Sequence, residues 1–600
     1  MADIHVTPSQ RVGSIALIEH NYYGDNNELT IEEGEKGVPL EEQPYDTFQG
    51  LTEPERPKPV LPAGVRQMEA ITMVWTNVWL VAAYTFITLI SFTNSLQQQA
   101  NFTWIPFVNS TFSQHSLTAL IGLVASVIGG VSKLPLATFI NVCGRPHGFA
   151  ICLLFVVLGL ITFANCQNVE TYAAAQVFYW IGMNGMTYVL DIFIADTSLM
   201  KNRLIWIGIT MSPYLCNSFA GPVLAARFLR ESTWRWGYGA FAIVTPIMCT
   251  PFWVIFWMMK RRAKKNGTVV VGKSDRTFLQ SVVHWCKEFD VIGLVLGCAG
   301  FCCTLLPIGL ATNKAEHWKS PHITILLIFG ILCLLAFSLW EYFLAPKTFF
   351  PFRLMKDRSV VGACMLGFNS WITFYSYRMF YTSYLQVVYG LSIEKAGYIT
   401  NIFSIVSCAF AVLIAIAFRY TDTYRWAAFL AVPTQLLAAG LLIHFRKPHI
   451  HVGLLVMVEV LYAMAGAVMV QVEQVAVMTA VPHENLATGL ALLAMITALG
   501  GAVGQAISSA VWNNLVLAKL TENLPEVKRD RARTIFDSIF VQLSYPMGSE
   551  EREATIKAYA DAQKVMLTIA VCSLVPCLLW VALLRNNRLS QHQRRPGLQA

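Results

Sequence analysis

The feature that most limits how this chain can fold is a series of apolar stretches, each about as long as a membrane-spanning helix. Read with a window of about 19 residues, the sequence contains fourteen of them, and roughly 20 apolar residues in helical form cross a bilayer. Charged residues make up only 13% of the chain, against about 25% in soluble domains. The pattern predicts an all-α membrane protein. The predicted spans cover approximately residues 72–95, 116–140, 148–166, 171–196, 204–228, 235–259, 290–311, 322–344, 360–384, 396–418, 425–446, 452–479, 486–511 and 564–585.

Basic residues indicate which side of the membrane each loop faces. The connection between spans 6 and 7, residues 260–289, holds eight Lys or Arg residues, whereas the connection between spans 1 and 2 holds none. Because basic loops stay in the cytosol, the first of these connections is predicted to be cytosolic, and an even number of spans places both termini there. The outer connection between spans 1 and 2 then offers two N-glycosylation acceptors, Asn101 and Asn109.

Two terminal segments and one long loop lie outside the spans. Residues 1–70 carry thirteen acidic and five basic residues without a helical period, which predicts a disordered cytoplasmic tail. Residues 586–600 form a second cytoplasmic tail. The outer loop 513–563 is polar but has apolar residues at helical spacing, so it either folds over an entrance or is a plain surface loop.

Two short motifs resemble those of the major facilitator superfamily. The turn Gly144-Arg145 between spans 2 and 3 is similar to the family's signature loop, although Asn141 stands where that loop has an aspartate. This substitution puts the usual charge-linked latch in doubt, because a neutral amide cannot pair with a charged group. In span 5, Asn217 followed by Gly221-Pro222 is similar to the motif of proton-coupled antiporters. Small residues let helices approach closely and proline bends a span.

Longer blocks resemble the fungal siderophore–iron transporter family. They include Trp234-Arg-Trp-Gly-Tyr-Gly-Ala-Phe241, Lys356-Asp-Arg-Ser-Val-Val-Gly-Ala363 and Gly500-Gly-Ala-Val-Gly504, and the set runs from about residue 64 to residue 585. The resemblance implies a major facilitator fold, uptake of ferric siderophore chelates and proton coupling. The hypothesised mechanism is symport of a ferric hydroxamate chelate with a proton. The fourteen helices then divide into two six-helix halves plus two additional helices: 71–259 is the first half, 290–344 the additional pair, and 345–585 the remainder.

Charged residues inside spans are the natural candidates for proton coupling, because each costs about 2.5–3.5 kcal/mol to insert. Asp191 lies in span 4, and Glu459 and Glu473 lie in span 12. Burial would let any of the three exchange protons near neutral pH. The alternative is that Asp191 and Glu473 are interfacial groups that reach water.

Span 9 carries an aromatic face that suits a bulky, partly polar chelate. The substrate-binding candidates on this face are Phe374, Tyr377, Arg378, Tyr381 and Tyr384, and further polar candidates in the spans are Tyr84, Asn184 and Gln471. The alternative is a packing ridge with an arginine that reaches the outer surface.

Several other functions have little support. Histidines lie at span ends or in loops, so no resident metal or cofactor is expected, and iron would travel only inside its chelate. The phosphate-loop match at residues 267–274 lacks a strand, which excludes nucleotide binding, and loop placement of the basic residues excludes nucleic acid. No catalytic group can be assembled, so an enzyme is not expected. A proton-coupled exporter of a metabolite or glutathione and a non-transporting chelate receptor stay open. The expected partners are a ferric siderophore, protons and the bilayer, and a monomer in the cell membrane is expected, with a vacuolar or endosomal membrane as the alternative.

Overall fold

A computed structural model describes residues 75–198, 200–265, 278–311, 319–346, 350–482 and 485–589. All of these belong to one compact unit. The tail 1–70 and the segment 267–274 lie outside the described residues. Within the described ranges the chain is almost entirely helical and contains no strand, as the apolar pattern predicts.

The first part of the chain forms eight helices that pack as one half of the molecule. Helix α1 packs on α7 and α8, while α4 packs on α5 and α8. Asn168 begins α5 by accepting a hydrogen bond from the main-chain N–H of Thr171, and Pro213 begins α7. The bounds are α1 Asn77–Thr111, α2 Thr118–Val131, α3 Lys133–Cys143, α4 Arg145–Asn165, α5 Val169–Thr197, α6 Met200–Met211, α7 Pro213–Glu231 and α8 Trp234–Lys265.

The second half repeats this arrangement after a short helix and an additional hairpin. Helix α12 packs on α18 and α22, and α17 packs on α15 and α16. The bounds are α9 Phe278–Glu288, α10 Val291–Leu310, α11 Pro321–Leu339, α12 Arg358–Arg378, α13 Tyr381–Tyr389, α14 Ile393–Thr400, α15 Ile402–Thr421, α16 Arg425–Phe445, α17 Val452–Ala480, α18 Leu486–Val511, α19 Leu517–Asn523, α20 Ala532–Asp537, α21 Ile539–Ser544, α22 Glu550–Leu574 and α23 Cys577–Leu583.

The two halves meet along a seam made of four helices from one side and three from the other. Helix α2 packs against α18, α3 packs against α18, and α6 and α7 pack against α15, with α7 also touching α14. The hairpin α10–α11 lies at the edge of this seam, because α10 contacts both α2 and α18. These are the two additional helices that the sequence predicts.

Twelve helical stretches in the described residues are long and apolar enough to cross a bilayer. The other two predicted spans, 204–228 and 360–384, correspond to α6–α7 and α12–α13, which are helical but interrupted near Ser212 and Met379. Polar residues in these stretches lower their hydropathy. The all-α membrane fold is therefore confirmed, while the count of fourteen spans is not.

Helix α1 is longer than predicted, and this removes both glycosylation sites. It continues to Thr111 instead of ending near residue 95. Asn101 and Asn109 lie on it with no exposed surface. The Oδ1 atom of Asn101 accepts a hydrogen bond from the Tyr238 hydroxyl at 2.6 Å, and the Nδ2 atom of Asn109 donates to the Oγ1 atom of Thr118 at 2.9 Å. A glycan could not fit there, so the structure contradicts both predicted acceptors.

Residues 513–563, predicted to be a polar outer loop, are largely helical. A π-helical turn, Trp512–Val516, joins α18 to α19, and α22 already begins at Glu550. The segment packs on the end of α1: the main-chain N–H of Ile539 donates to the Oγ atom of Ser110 at 3.0 Å. The ring centroids of Phe107 and Phe540 are 5.5 Å apart. The segment thus covers one end of the seam between the halves.

Candidate functional site

Asp191 lies beside a small cavity enclosed by four helices of the first half. Its side chain is partly exposed, and the cavity has a volume of about 20 Å³, enough for one or two water molecules. The cavity lies among α1, α5, α6 and α7, and its lining is mostly polar. The other lining residues are Ile87, Ser91, Asn94, Thr187, Leu190, Thr210, Met211 and Tyr214. Asp191 is therefore an interior group with access to water, as a proton-exchanging carboxylate requires.

Lys133 provides the positive charge that acts on Asp191. It is the first residue of α3, and the two side chains attract each other electrostatically across the first half. Sequence reasoning missed Lys133, although it lies inside the predicted span 116–140, where the rule that singled out Asp191 applies equally.

The span-5 motif brings α7 close to α1 and to the second half. The Nδ2 atom of Asn217 donates to the main-chain oxygen of Phe92 at 2.7 Å. A Cβ atom at Gly221 would lie 2.5 Å from the Cβ atom of Gln99, so only glycine permits this approach. Pro222 packs against Gly397 of the other half. The motif therefore acts in helix packing at the seam, in agreement with its small-residue pattern.

Glu459 is held between two arginines in the second half. Its carboxylate accepts a hydrogen bond from the Nη2 atom of Arg446, and the Nη1 atom of Arg378 lies 3.8 Å from its second oxygen. Arg446 also donates to the Oε1 atom of Gln563 at 3.1 Å. The side chains of Glu459 and Arg446 have no exposed surface. Protonation of Glu459 would leave two buried cations without a counter-charge, which favours an ion-pair role over proton exchange.

The tyrosines of the predicted aromatic face surround Arg446 instead of lining a lumen. The Arg446 guanidinium lies 4.7 Å from the ring centre of Tyr377 and 4.1 Å from that of Tyr381. Tyr377, Tyr381 and Tyr384 have no exposed surface. The interpretation that these three side chains contact a chelate is therefore wrong for this conformation, because they are enclosed within the second half.

The partly exposed side chains of α12 lie on a neighbouring face. Phe374 and Arg378 were predicted for it, whereas Trp371 and Tyr375 were missed. Trp371 and Tyr375 stack with ring centroids 5.5 Å apart, and the Arg378 guanidinium lies 4.7 Å from the ring centre of Phe374. This face combines flat apolar surface with one cation, which suits a bulky ligand rich in carbonyl oxygens.

Glu473 is enclosed within the second half and does not reach water. Its side chain is almost fully buried, and its Oε1 atom has no hydrogen-bond partner among the described residues. Gly367 makes room for it, since a Cβ atom there would lie 2.9 Å from both Glu473 and Thr497. The interfacial interpretation of Glu473 is therefore wrong.

The three remaining polar candidates do not form one site. The Tyr84 hydroxyl bonds to the Oγ1 atom of Thr197 at 2.9 Å, at the end of α5. Asn184 lies thirteen residues earlier on that helix, roughly 20 Å away by helical rise. Gln471 is buried in the second half.

The Gly144-Arg145 turn has a carboxylate partner that the sequence motif does not reveal. Gly144 adopts a φ of 92°, a conformation that favours glycine. The Nε atom of Arg145 lies 3.2 Å from the Oδ2 atom of Asp196, and its Nη1 atom donates to the main-chain oxygen of Ile140. A charge link therefore exists at this turn, although the side chain of Asn141 lies outside what the structure describes.

Direct hydrogen bonds join the two halves at different heights of the seam. The Tyr188 hydroxyl donates to the main-chain oxygen of Ala487 at 2.7 Å. The Nδ2 atom of Asn401 donates to the main-chain oxygen of Ser218 at 2.9 Å. These two bonds tie the halves together in this structure and must break if the halves separate there. Among the described residues no group of three or more His, Cys, Asp or Glu side chains could hold a metal ion.

Comparison with known proteins places this fold in a family. The model of the Major Facilitator Superfamily matches residues 87–505. MFS siderochrome iron transporter 1 of Ajellomyces capsulatus is 42% identical over 84% of this chain and 86% of its own length. MFS siderochrome iron transporter D of Aspergillus fumigatus is 39% identical over 89% of both chains. Siderophore iron transporter mirB of Emericella nidulans is 35% identical, again over 89% of both chains.

A solved structure shows the same fold at low sequence identity. The inward-facing, occupied structure of a bacterial homologue of the human lysosomal transporter Spinster is 14% identical to this chain, with a TM-score of 0.52. The match covers 87% of this chain and 100% of the bacterial one.

Proposed function

The chain belongs to the siderophore iron transporters of the Major Facilitator Superfamily, and on that premise we propose that it imports ferric hydroxamate siderophores together with protons. The cargo is inferred from sequence similarity. Over more than four-fifths of its length, the chain is similar to proteins that are named siderophore or siderochrome iron transporters. Iron is cargo here, wrapped in its chelate, and no resident cofactor takes part.

The partly exposed face of α12 is suited to binding a bulky chelate. Trp371, Phe374 and Tyr375 present aromatic surface, and Arg378 presents a guanidinium that can donate to carbonyl oxygens of the ligand. The hydrogen bonds that join the halves would break as the halves rock apart to admit the chelate and again when it leaves.

Asp191 is the proposed proton carrier. It is the one of the three predicted carboxylates that lies beside a water-sized cavity, whereas Glu459 is bound to two arginines and Glu473 is enclosed. The positive charge of Lys133 acts on Asp191, and protonation of Asp191 would remove that attraction. The loss of attraction would link the charge of Asp191 to the positions of α3 and α5.

The protein is a multi-pass membrane protein, and its orientation belongs to this proposal. The basic segment 260–289 supports a cytosolic position for that connection and for both termini. Import from outside the cell requires that the protein lie in the cell membrane. In a vacuolar or endosomal membrane, the same transport cycle would release stored iron chelate into the cytosol.

Uptake of a chelate labelled with radioactive iron tests the proposal in fungal cells that lack their own siderophore carriers. The intact chain should accumulate ferric hydroxamates, and more so at acidic external pH. One proton moving down 100 mV supplies about 2.3 kcal/mol, which corresponds to roughly a 50-fold accumulation ratio. Asp191→Asn should abolish accumulation and its pH dependence. Asp561→Asn, which removes an exposed carboxylate, is the matched control and should behave like the intact chain.

Three results would refute the proposal in whole or in part. Absence of uptake for several hydroxamates, with the protein present at the cell surface, would exclude import. Concentrative, pH-dependent uptake by Asp191→Asn would exclude Asp191 as the proton carrier. Accumulation in inside-out vesicles with an acidified interior would instead identify an exporter.

A further inference from the structure

The ion-pair cluster around Glu459 contains more positive than negative charge. Arg378 and Arg446 face a single carboxylate, Glu459, so this cluster carries one unbalanced positive charge. A third arginine, Arg552, is also buried and binds main-chain oxygens, which accept its hydrogen bonds but carry no formal charge: Gln386, Val387 and Gln542. Among the described residues of this half, the carboxylates of Glu473 and Glu551 are also buried, so the excess positive charge belongs to the Glu459 cluster alone.

The groups around these arginines stabilise them without neutralising them. Arg446 is covered by the rings of Tyr377 and Tyr381 and bonded to the amide of Gln563. Ring faces and amide oxygens attract a guanidinium but leave its net charge in place. In a poorly polarisable interior that charge acts over a longer distance than it would in water.

Arg378 is the member of the cluster that a ligand can reach. About 10% of its side chain is exposed, whereas Arg446 and Glu459 are fully covered. Its guanidinium lies over the rings of Phe374 and Phe403 and donates to the main-chain oxygen of Thr400. The next residue, Asn401, is bonded across the seam to the first half. Arg378 thus stands where the two halves separate.

We propose that Arg378 makes this carrier select chelates by charge, accepting neutral ferric trihydroxamates and disfavouring those that bear a free ammonium group. The inference rests on the proposed function, because it concerns the cargo of the same pathway. A neutral chelate gains hydrogen bonds from the guanidinium to its carbonyl oxygens. A cationic chelate is repelled by the unbalanced positive charge of the cluster. For two like charges about 10 Å apart, at an effective dielectric constant of about 20, this repulsion lowers the binding affinity on the order of tenfold.

A matched pair of substrates tests this selection. One is a linear ferric trihydroxamate with a free terminal amine, and the other is the same chelate with that amine acetylated, so that the two differ by one charge. The intact chain should take up the neutral chelate on the order of tenfold faster, equivalent to about 1.4 kcal/mol. Arg378→Gln should bring the ratio of the two rates close to one. Arg378→Lys keeps the charge and should keep the selection.

The outcomes distinguish a failure of the charge selection from a failure of the proposed function. Uptake of neither chelate contradicts the proposed function, whereas equal uptake of both by the intact chain overturns the charge selection alone. An unchanged ratio in Arg378→Gln also overturns it. If Arg378→Gln fails to reach the membrane, competition decides: unlabelled cationic chelate should inhibit uptake of the labelled neutral chelate by the intact chain about tenfold less well than unlabelled neutral chelate. Equal inhibition would refute the inference.

Discussion

Glu459 should be the residue whose neutralisation costs the folded protein most. Its carboxylate is the counter-charge of both Arg378 and Arg446 and has no access to solvent. We expect Glu459→Gln to lower the free energy of unfolding by about 3–5 kcal/mol, because it leaves two buried cations unpaired. Thermal melting of the detergent-solubilised protein measures this. The exposed pair Lys519–Glu522, 2.8 Å apart, is the control, and Glu522→Gln should leave the melting temperature nearly unchanged. Equal losses for both variants would contradict the prediction.

The sequence predicted the interior position of a single residue only where burying that side chain costs free energy by itself. Asp191, Glu459 and Arg378 were found because a charge inside an apolar span needs an interior partner, and all three lie inside the bundle. Arg446 was not found, because it lies at the end of its span, where an arginine needs no special explanation. The tyrosines of α12 and α13 share a face, but helical spacing does not tell which face is turned to the lumen.

At the level of elements, close packing of α18 on α12 depends on glycines. A Cβ atom at Gly500 would lie 2.3 Å from the main-chain oxygen of Phe368, and one at Gly504 would lie 2.5 Å from that of Ile372. Gly500→Ala should therefore force the helices apart and lower the stability by about 1–3 kcal/mol. Gly440→Ala on α16 is the control, since nothing lies within 4 Å of its added Cβ atom. Helix propensity should make that variant neutral or slightly more stable. A melting temperature of Gly500→Ala at or above that of Gly440→Ala would refute this packing role.

Element boundaries were predictable where hydropathy changes and unpredictable where polar residues find partners inside the bundle. The first predicted span ends near residue 95, before the run Gln97-Gln98-Gln99, whose polarity is typical of a loop. The Nε2 atom of Gln99 donates to Ser218 at 2.8 Å, and Tyr214 donates to Gln98 at 2.6 Å. Because these tertiary bonds satisfy the amides, α1 continues to Thr111. No local pattern contains that information.

At the scale of the whole molecule, the fold was predictable because fourteen apolar stretches and the family blocks constrain it together, while the contacts between the two halves were not. Which helices face each other across the seam depends on contacts between residues far apart in sequence. Helix α6 meets α15 there, and a Cβ atom at Gly208 would lie 3.9 Å from that of Val412. This spacing is close to the separation of about 3.8 Å found in disulfides. The seam can therefore be locked by a pair of cysteines.

If transport requires the halves to separate, a disulfide between Gly208→Cys and Val412→Cys should stop uptake completely, and a reductant should restore it. The matched control is Gly185→Cys, whose Cβ atom would lie 3.7 Å from that of the native Cys152 within the first half. A bond there joins α4 to α5, which move together, so most of the uptake should persist. Uptake after membrane-permeant oxidation, with the extent of cross-linking measured by mass spectrometry, distinguishes the two. Undiminished uptake by a fully cross-linked Gly208–Val412 pair would mean that this seam stays closed throughout the cycle, and the pathway would then have to run elsewhere. Loss of uptake in both variants would show instead that each half deforms internally, because a rigid half would tolerate the bond between α4 and α5.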